Sequence, residues 1–224
     1  MKVIVLNGSP KGENSNTMIL TKQFIEGLNS VNNNSIELID LSKKSIQHCL
    51  GCFLCWKKRP YRCVINDDVD DILKLFVNAE LIIWSFPLYH YGMPSKMKAF
   101  LDRTLPLSVL FSNIRKGSYY GILNNNTKHI IISTCGAICE NSYSSVDEMF
   151  KLSYGEENLE KIYLMGGEAI SYLENPETLT NYLKNVKEAG IEYSKFGKFS
   201  DSTKESLQKC IFDDKAFDVE KWLN

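Results

Sequence analysis

Four cysteines crowd one short stretch, with Cys49, Cys52, Cys55 and Cys63 spaced C-x2-C-x2-C-x7-C and Gly51 permitting a tight turn inside the first pair. Thiolates so placed can ligate an iron–sulfur cluster or a four-thiolate zinc ion, and zinc ranks lower because it more often uses two separated pairs. The same four can also remain free thiols or close disulfides. Trp56, Lys57, Lys58, Arg59, Tyr61 and Arg62 add local positive charge. That charge suits an anionic cluster, an acidic electron carrier, or simply a solvated loop.

A second chemistry-bearing stretch runs Asn7-Gly8-Ser9-Pro10-Lys11-Gly12-Glu13-Asn14-Ser15-Asn16-Thr17, from an apolar run into a helical pattern. Backbone N–H groups at a helix start, with hydroxyls from Ser9, Ser15 and Thr17, can replace the water around a phosphate dianion. The plainer reading is an ordinary capped loop. Two commoner nucleotide loops are absent, since the chain has neither G-x-x-x-x-G-K-[ST] nor G-x-G-x-x-G. This argues against an ATPase and against a dinucleotide-binding domain of the Rossmann type.

A third stretch, Pro87-Leu88-Tyr89-His90-Tyr91-Gly92-Met93-Pro94, offers flat aromatic groups and backbone donors ahead of a helical pattern. A fourth, Ser133-Thr134-Cys135-Gly136-Ala137-Ile138-Cys139-Glu140, contains a C-x3-C pair that is either a redox couple or inert packing. Lys98, Asp102 and Arg103 read as a helix surface or a structural salt bridge. None of His48, His90 and His129 has an evident partner in the sequence, so no catalytic acid or base is named.

The elements that must position these stretches are legible. Apolar runs at Val3 to Leu6, Ile36 to Ile39, Leu81 to Trp84, Ile130 to Ile132 and Ile162 to Met165 read as buried strands. Helical periods lie between them. One carries Leu20, Phe24, Ile25 and Leu28, and a second carries Val69, Ile72, Leu73, Phe76 and Val77 behind Asp67 and Asp68, which suit a helix N-terminus. A third has Pro94 in its first turn and repeats at Met97, Phe100, Leu101 and Thr104, and a fourth begins near Asn175-Pro176 with Leu179, Tyr182, Leu183 and Val186. Strands alternating with helices predict a three-layer α/β sandwich of parallel strands joined by right-handed crossovers. Its ligand crevice lies at the carboxyl ends of the strands, where the winding reverses.

The 224 residues suit one domain. We place it at 1–199, with insertions at 42–66 and 105–127, and assign 200–224 to a helical extension with a capping box from Ser202 to Glu205. The second insertion holds Phe111, Tyr119, Tyr120 and the turn Asn124 to Asn126. A formal charge of -1 gives no field for nucleic acid. No apolar run approaches the roughly 20 residues of a membrane helix, and the first is too short for a signal peptide. The expected location is cytoplasmic, in keeping with an odd count of 7 cysteines.

The first loop resembles the GSPR-x-x-SNT signature of the NADPH-dependent FMN reductase-like group of flavodoxin-fold proteins. Lys11 stands for the usual arginine, keeping charge but losing the fork, and one extra residue precedes Ser15-Asn16-Thr17. The third stretch resembles the second signature of that group through Pro87, Tyr89, Pro94, Lys98, Phe100, Asp102 and Arg103, and the cysteine spacing resembles the compact motif of iron–sulfur flavoproteins. The resemblance covers about residues 1–190 and implies a flavodoxin-like sheet of order 2-1-3-4-5. It implies FMN held by Ser9, Lys11, Ser15, Asn16 and Thr17 at the phosphate and by Pro87, Leu88, Tyr89, Tyr91, Gly92 and Met93 along the ring. Thr134, Cys135 and Gly136 would then approach the pyrimidine edge. Cys49, Cys52, Cys55 and Cys63 would hold a [4Fe–4S] cluster if they hold one at all.

The implied activity is an FMN-dependent oxidoreductase, with NAD(P)H or a reduced carrier protein as donor and a quinone or other small molecule as acceptor. A homodimer or homotetramer and a ferredoxin-like partner belong to the same expectation. The rival is a non-catalytic electron carrier. The near-neutral charge and the aromatic insertion lean towards the enzyme, because flavodoxin-type carriers tend to be strongly acidic.

Overall fold

The computed structural model describes residues 1–57, 62–107, 127–136, 141–167, 170 and 176–208. The five apolar runs become β1 (Lys2–Asn7), β2 (Ser35–Asp40), β3 (Leu81–Pro87), β4 (Lys128–Cys135) and β5 (Leu159–Met165). They pair in parallel in the order β2-β1-β3-β4-β5, as expected of a flavodoxin-like sheet. The central strands are apolar at nearly every position because both faces are covered. Val3, Val5, Leu81, Ile83, Ile130 and Ile132 meet α1 (Asn16–Val31) and α6 (Pro176–Phe196) on one face. Ile4, Leu6, Ile82, Trp84, Phe86 and Ile131 meet α3 (Val69–Val77), α4 (Ser95–Asp102) and α5 (Ser144–Tyr154) on the other. A single turn, α2 (Leu54–Lys57), lies inside the cysteine segment.

Helix α1 is fixed hard against α6, which matters because its first turn closes the loop after β1. A Cβ on Gly27 would stand 2.0 Å from the Lys187 carbonyl oxygen, and one on Gly190 would stand 2.2 Å from that of Phe24. Only glycine lets the two backbones touch at these points.

Three local expectations are corrected. Pro94 caps α4 from outside rather than occupying its first turn, and the helix ends at Asp102, before Thr104. Helix α5 has no counterpart in the sequence reading, because it buries only Val146 and Phe150 and leaves Leu152 exposed, too weak a period to register. The last described helix, α7 (Asp201–Gln208), is capped by Ser200, whose hydroxyl accepts from the Thr203 amide at 3.3 Å, and not by a Ser202–Glu205 box. Leu207 enters the core and the Tyr182 hydroxyl donates to its carbonyl at 3.2 Å. Trp222 and the aromatic stretch with Phe111, Tyr119, Tyr120 and Asn124 to Asn126 lie outside the described residues.

His129 gains a partner that the sequence did not reveal. Trp84 Nε1 donates to His129 Nδ1 at 3.1 Å and the imidazole stacks on Tyr154 with 3.9 Å between ring centroids. Burial, with Lys128 adding to it, lowers the His129 pKa to about 3, so the ring is neutral at physiological pH. Among the described residues no helix is long and apolar enough to cross a membrane.

Candidate functional site

Three loops converge at the carboxyl ends of β1, β3 and β4, where the connections leave for opposite sides of the sheet. The first is tied down by its own backbone. Gly8 N–H donates to the Ser85 carbonyl at 2.8 Å, Ser9 N–H to Asn7 Oδ1 at 3.0 Å, and Lys11 N–H to Ser9 Oγ at 3.3 Å. A tight turn over Gly12–Asn14 follows, with Gly12 at φ +59, and Ser15 caps α1 by accepting from the Met18 amide at 3.2 Å. The amides of Asn16 and Thr17, ahead of these bonds, lie at the positive end of the helix. Asn7 adds a further donor: its Nδ2 is buried with no partner among the described residues. A buried donor of this kind is costly unless something accepts from it.

The hydroxyls expected to reach a phosphate are placed differently from one another. Ser9 is buried at the loop and keeps its own proton to donate, and Lys11 is exposed beside it. The Ser15 oxygen accepts from the helix, and Thr17 Oγ1 pairs with Thr134 Oγ1 at 2.7 Å across the crevice floor. Asn16 Nδ2 donates to the Gly167 carbonyl at 2.8 Å. Thr17 and Asn16 thus stitch the first loop to the ends of β4 and β5.

The second loop is a hairpin. Tyr89 and Gly92 exchange backbone bonds of 2.8 and 2.9 Å around a two-residue turn in which His90 has φ 50 and Tyr91 has φ 61. Two-residue turns with both φ positive favour Asn-Gly, so two rings here are held in an unfavourable backbone. The turn leaves Tyr89 46% and Tyr91 60% exposed at the mouth of the crevice. Pro87 and Met93 are buried, Leu88 is half-buried, and the Leu88 amide donates to the Thr134 carbonyl at 2.8 Å. Ser145 Oγ, from α5, donates to the Tyr91 carbonyl. Beneath the turn lies a cleft of about 350 Å3 lined by His90, Tyr91, Met93, Lys98, Ser145 and Met149 among others.

The third loop brings buried Thr134 and Cys135 and exposed Gly136 to the same end of the sheet. Burial, with the Cys135 thiol beside it, pushes the Tyr143 phenol up, and Tyr143 stacks on Tyr163 with 3.8 Å between centroids. Cys139 lies outside the described residues.

The cysteine segment is held by α4 rather than by the sheet. Lys96 Nζ donates to the carbonyls of Ser42 and Lys44, each at 3.0 Å. Two turns on, Arg103 is fully buried, paired with Asp67, and donates to the carbonyls of Gln47 at 3.1 Å and Ile65 at 3.3 Å. Burial would raise the Asp67 carboxyl, yet Arg103 and the amides of Gln47 and Val69 hold it below the usual carboxylate range. Trp56 Nε1 donates to the Leu105 carbonyl at 3.0 Å. Of the thiols, Cys55 is buried, Cys49 and Cys63 are half-buried, and Cys52 is exposed. Burial first, then Cys63, pushes the Cys55 thiol up, with smaller contributions from Cys52 and Cys49. The four therefore share a neighbourhood, but among the described residues no three His, Cys, Asp or Glu side chains are arranged to hold a metal ion.

The sequence reading missed the Arg103–Asp67 pair, Lys96, Asn7 and Ser145. Asp67 was legible only as a helix-start acid, since nothing local marks an ion pair that spans 36 positions. Arg103 and Lys98 with Asp102 resolve into the two structural options foreseen: one pair is buried, and the other is an exposed 2.6 Å bridge.

The fold agrees with what known proteins show. Residues 1–166 match the family described by the flavodoxin-like fold, and the chain belongs to that family. An iron–sulfur flavoprotein of Methanocaldococcus jannaschii is 38% identical over 113 residues, 50% of this chain and 55% of that one. The chain thus spans about half the length of that curated relative. An FMN-dependent NADH:quinone oxidoreductase of Bacillus cereus is 23% identical over 205 residues, 84% of this chain and 96% of that one. The crystal structure of an FMN-dependent NADH-azoreductase of Bacillus anthracis in complex with FMN superposes with a TM-score of 0.66 at 21% identity, covering 87% of this chain and 100% of that one. At that identity the superposition is evidence of fold.

Proposed function

We propose that the protein is an FMN-dependent oxidoreductase that takes electrons from NAD(P)H and passes them to a quinone, azo compound or similar small acceptor. The observation that carries the reading is the meeting of three loops at one switch point: the amide-rich turn before α1, the tyrosine hairpin after β3 and the Thr134–Gly136 end of β4. The likeness to proteins named for this chemistry supports it. The residues present fit FMN. The α1 amides, Ser9 and Lys11 supply an anion site, the unpartnered Asn7 Nδ2 supplies a buried donor, and the hairpin supplies flat walls.

Bound FMN would supply the electron and hydride chemistry. The chain's part is placement. The first loop anchors the phosphate end, Pro87 to Met93 orient the ring, and Thr134, Cys135 and Gly136 offer donors and acceptors at its far edge. Exposed Tyr89 and Tyr91 leave the crevice mouth open to a planar partner or to a second subunit of a homodimer or homotetramer. Anaerobic mixing of the FMN-loaded protein with NADH or NADPH should bleach the visible flavin absorbance, and added benzoquinone should restore it. No bleaching with either nucleotide would remove the enzyme reading.

The cysteine segment favours a second reading, an electron-transferring iron–sulfur flavoprotein with a ferredoxin-like partner, through the local similarity to a protein of that name. Among the described residues the thiols do not form a ready ligand set. Iron and acid-labile sulfide measured on anaerobically purified protein decide between the readings.

A further inference from the structure

We propose that Ser145, in the first turn of α5, is a positioning residue for Tyr91: its hydroxyl holds the strained hairpin so that the tyrosine ring stands where a planar acceptor can stack on it. The proposal rests on the oxidoreductase reading of the crevice and assigns a role within it. Tyr91 has a left-handed φ of 61 and follows His90 at φ 50, and it is 60% exposed. Two such residues in succession are costly for bulky side chains and persist only where the surroundings over-determine them.

Backbone bonds and burial hold the two ends of the hairpin. Tyr89 and Gly92 exchange amide bonds of 2.8 and 2.9 Å, the Leu88 amide donates to the Thr134 carbonyl at 2.8 Å, and Met93 is buried in the core. His90 and Tyr91 lie between these ties. Among the described residues, the bond from Ser145 Oγ to the Tyr91 carbonyl is the one hydrogen bond that either of them makes. A carbonyl can only accept, so Ser145 is the donor. Packing does not replace the bond, because the cleft of about 350 Å3 lies under the turn and is lined by Tyr91 and Ser145 alike. Ser145 in turn stands on a fixed support. Val146 beside it is 1% exposed, and Asp147 accepts from the Tyr163 hydroxyl at 2.6 Å and pairs with Lys161 at 2.9 Å. The first turn of α5 is thus pinned to the core and to β5, and one hydroxyl carries that rigidity to the hairpin.

Hydrogen exchange and acceptor kinetics on the full-length, FMN-loaded protein test the two halves of the proposal. Ser145→Ala should speed exchange of the Tyr89 and Gly92 amides about fivefold, the scale of one lost hydrogen bond, while β4 keeps its protection. With NADH or NADPH saturating, the same change should raise the KM for benzoquinone about fivefold, and by more than it lowers kcat, because stacking on a ring is binding rather than chemistry. Ser145→Thr, which keeps the hydroxyl, should restore both. Tyr91→Ala should raise that KM as well. Adding Ser145→Ala to it should speed exchange again but raise the KM no further, since the ring that the hydroxyl positions is gone. Hairpin exchange unmoved by Ser145→Ala would overturn the proposal. Faster exchange with an unmoved KM, or a KM that climbs again in the double variant, would make Ser145 a structural tie alone and overturn it too. Wild-type flavin that neither nucleotide bleaches removes the oxidoreductase reading, and the role of Ser145 falls with it; bleaching in wild type with no change of KM in Ser145→Ala overturns this proposal alone.

Discussion

The crevice loops and the cysteine segment are both long irregular stretches dense in reactive residue types, yet the structure holds them by opposite means. At the crevice, backbone amides, strand ends and short hydroxyl pairs do the holding, so each loop inherits the rigidity of the sheet. Among its described residues, the cysteine segment makes no such bond to a central strand. Two cations, Lys96 in α4 and Arg103 just past its end, grip its carbonyls, and one buried carboxylate answers one of them. A ligand site fixed by backbone tolerates side-chain change, whereas a site fixed by one buried charge pair depends on that pair. Residue types can announce a site, but its rigidity comes from what lies under it.

The sharpest way to break the contrast is to remove the buried cation. Arg103→Met should cost about 3–5 kcal/mol, because Asp67 is left buried and uncompensated, and adding Asp67→Leu should recover most of it. Urea unfolding of the single and double variants measures both. Additive losses would mean that the two residues do not work as a pair. In the single variant, hydrogen exchange should rise across 45–67 while β1 and β3 keep their protection.

Acid should separate the regions next. An unfolded histidine takes a proton near pH 6.5, but folded His129 resists until about 3, so the stability it contributes is complete above pH 6.5 and is lost as pH falls towards 3. Asp67, held below its ordinary value of 3.8, adds a loss only below about pH 4. The urea midpoint should therefore fall in two stages, with about 2–4 kcal/mol lost in the first. A midpoint flat from pH 7 to 4 would mean that His129 titrates in the folded protein as it does in the unfolded one.

A smaller effect of opposite sign tests the hairpin. Replacing His90-Tyr91 by Asn-Gly should stabilise the fold by about 1 kcal/mol, since those residues accept the positive φ of both positions. Quinone turnover should fall with the loss of the rings. A stabilised variant with full turnover would leave the strained turn without a functional reason. The smallest effect belongs to the exposed bridge of Lys98 and Asp102: Lys98→Ala should change stability by less than about 0.5 kcal/mol. A loss comparable to that of Arg103→Met would erase the distinction between a buried and a solvated pair on one helix.

Much of this was readable from residues alone. Runs such as Leu81 to Trp84 are apolar at every position, as a strand covered on both faces needs, so strand identity and parallel pairing followed together, while the strand order came from the family resemblance. Thr17 and Thr134 were both picked out by type and place. Their bond to each other was not, because they stand 117 positions apart. Helix α5 escaped because two buried residues do not make a visible period.

Local patterning along the chain specifies the strands, their covered faces and the three stretches that gather at the carboxyl edge of the sheet, since periodicity and turn chemistry are local properties. Only the packing of remote elements joins Thr17 to Thr134, sets Arg103 against Asp67, and gathers the four cysteines into one neighbourhood in which, among the described residues, no metal-holding group forms. Those outcomes depend on how far each group sits from partners remote in the chain, and that distance is set by the packing of whole elements rather than by any spacing along the sequence.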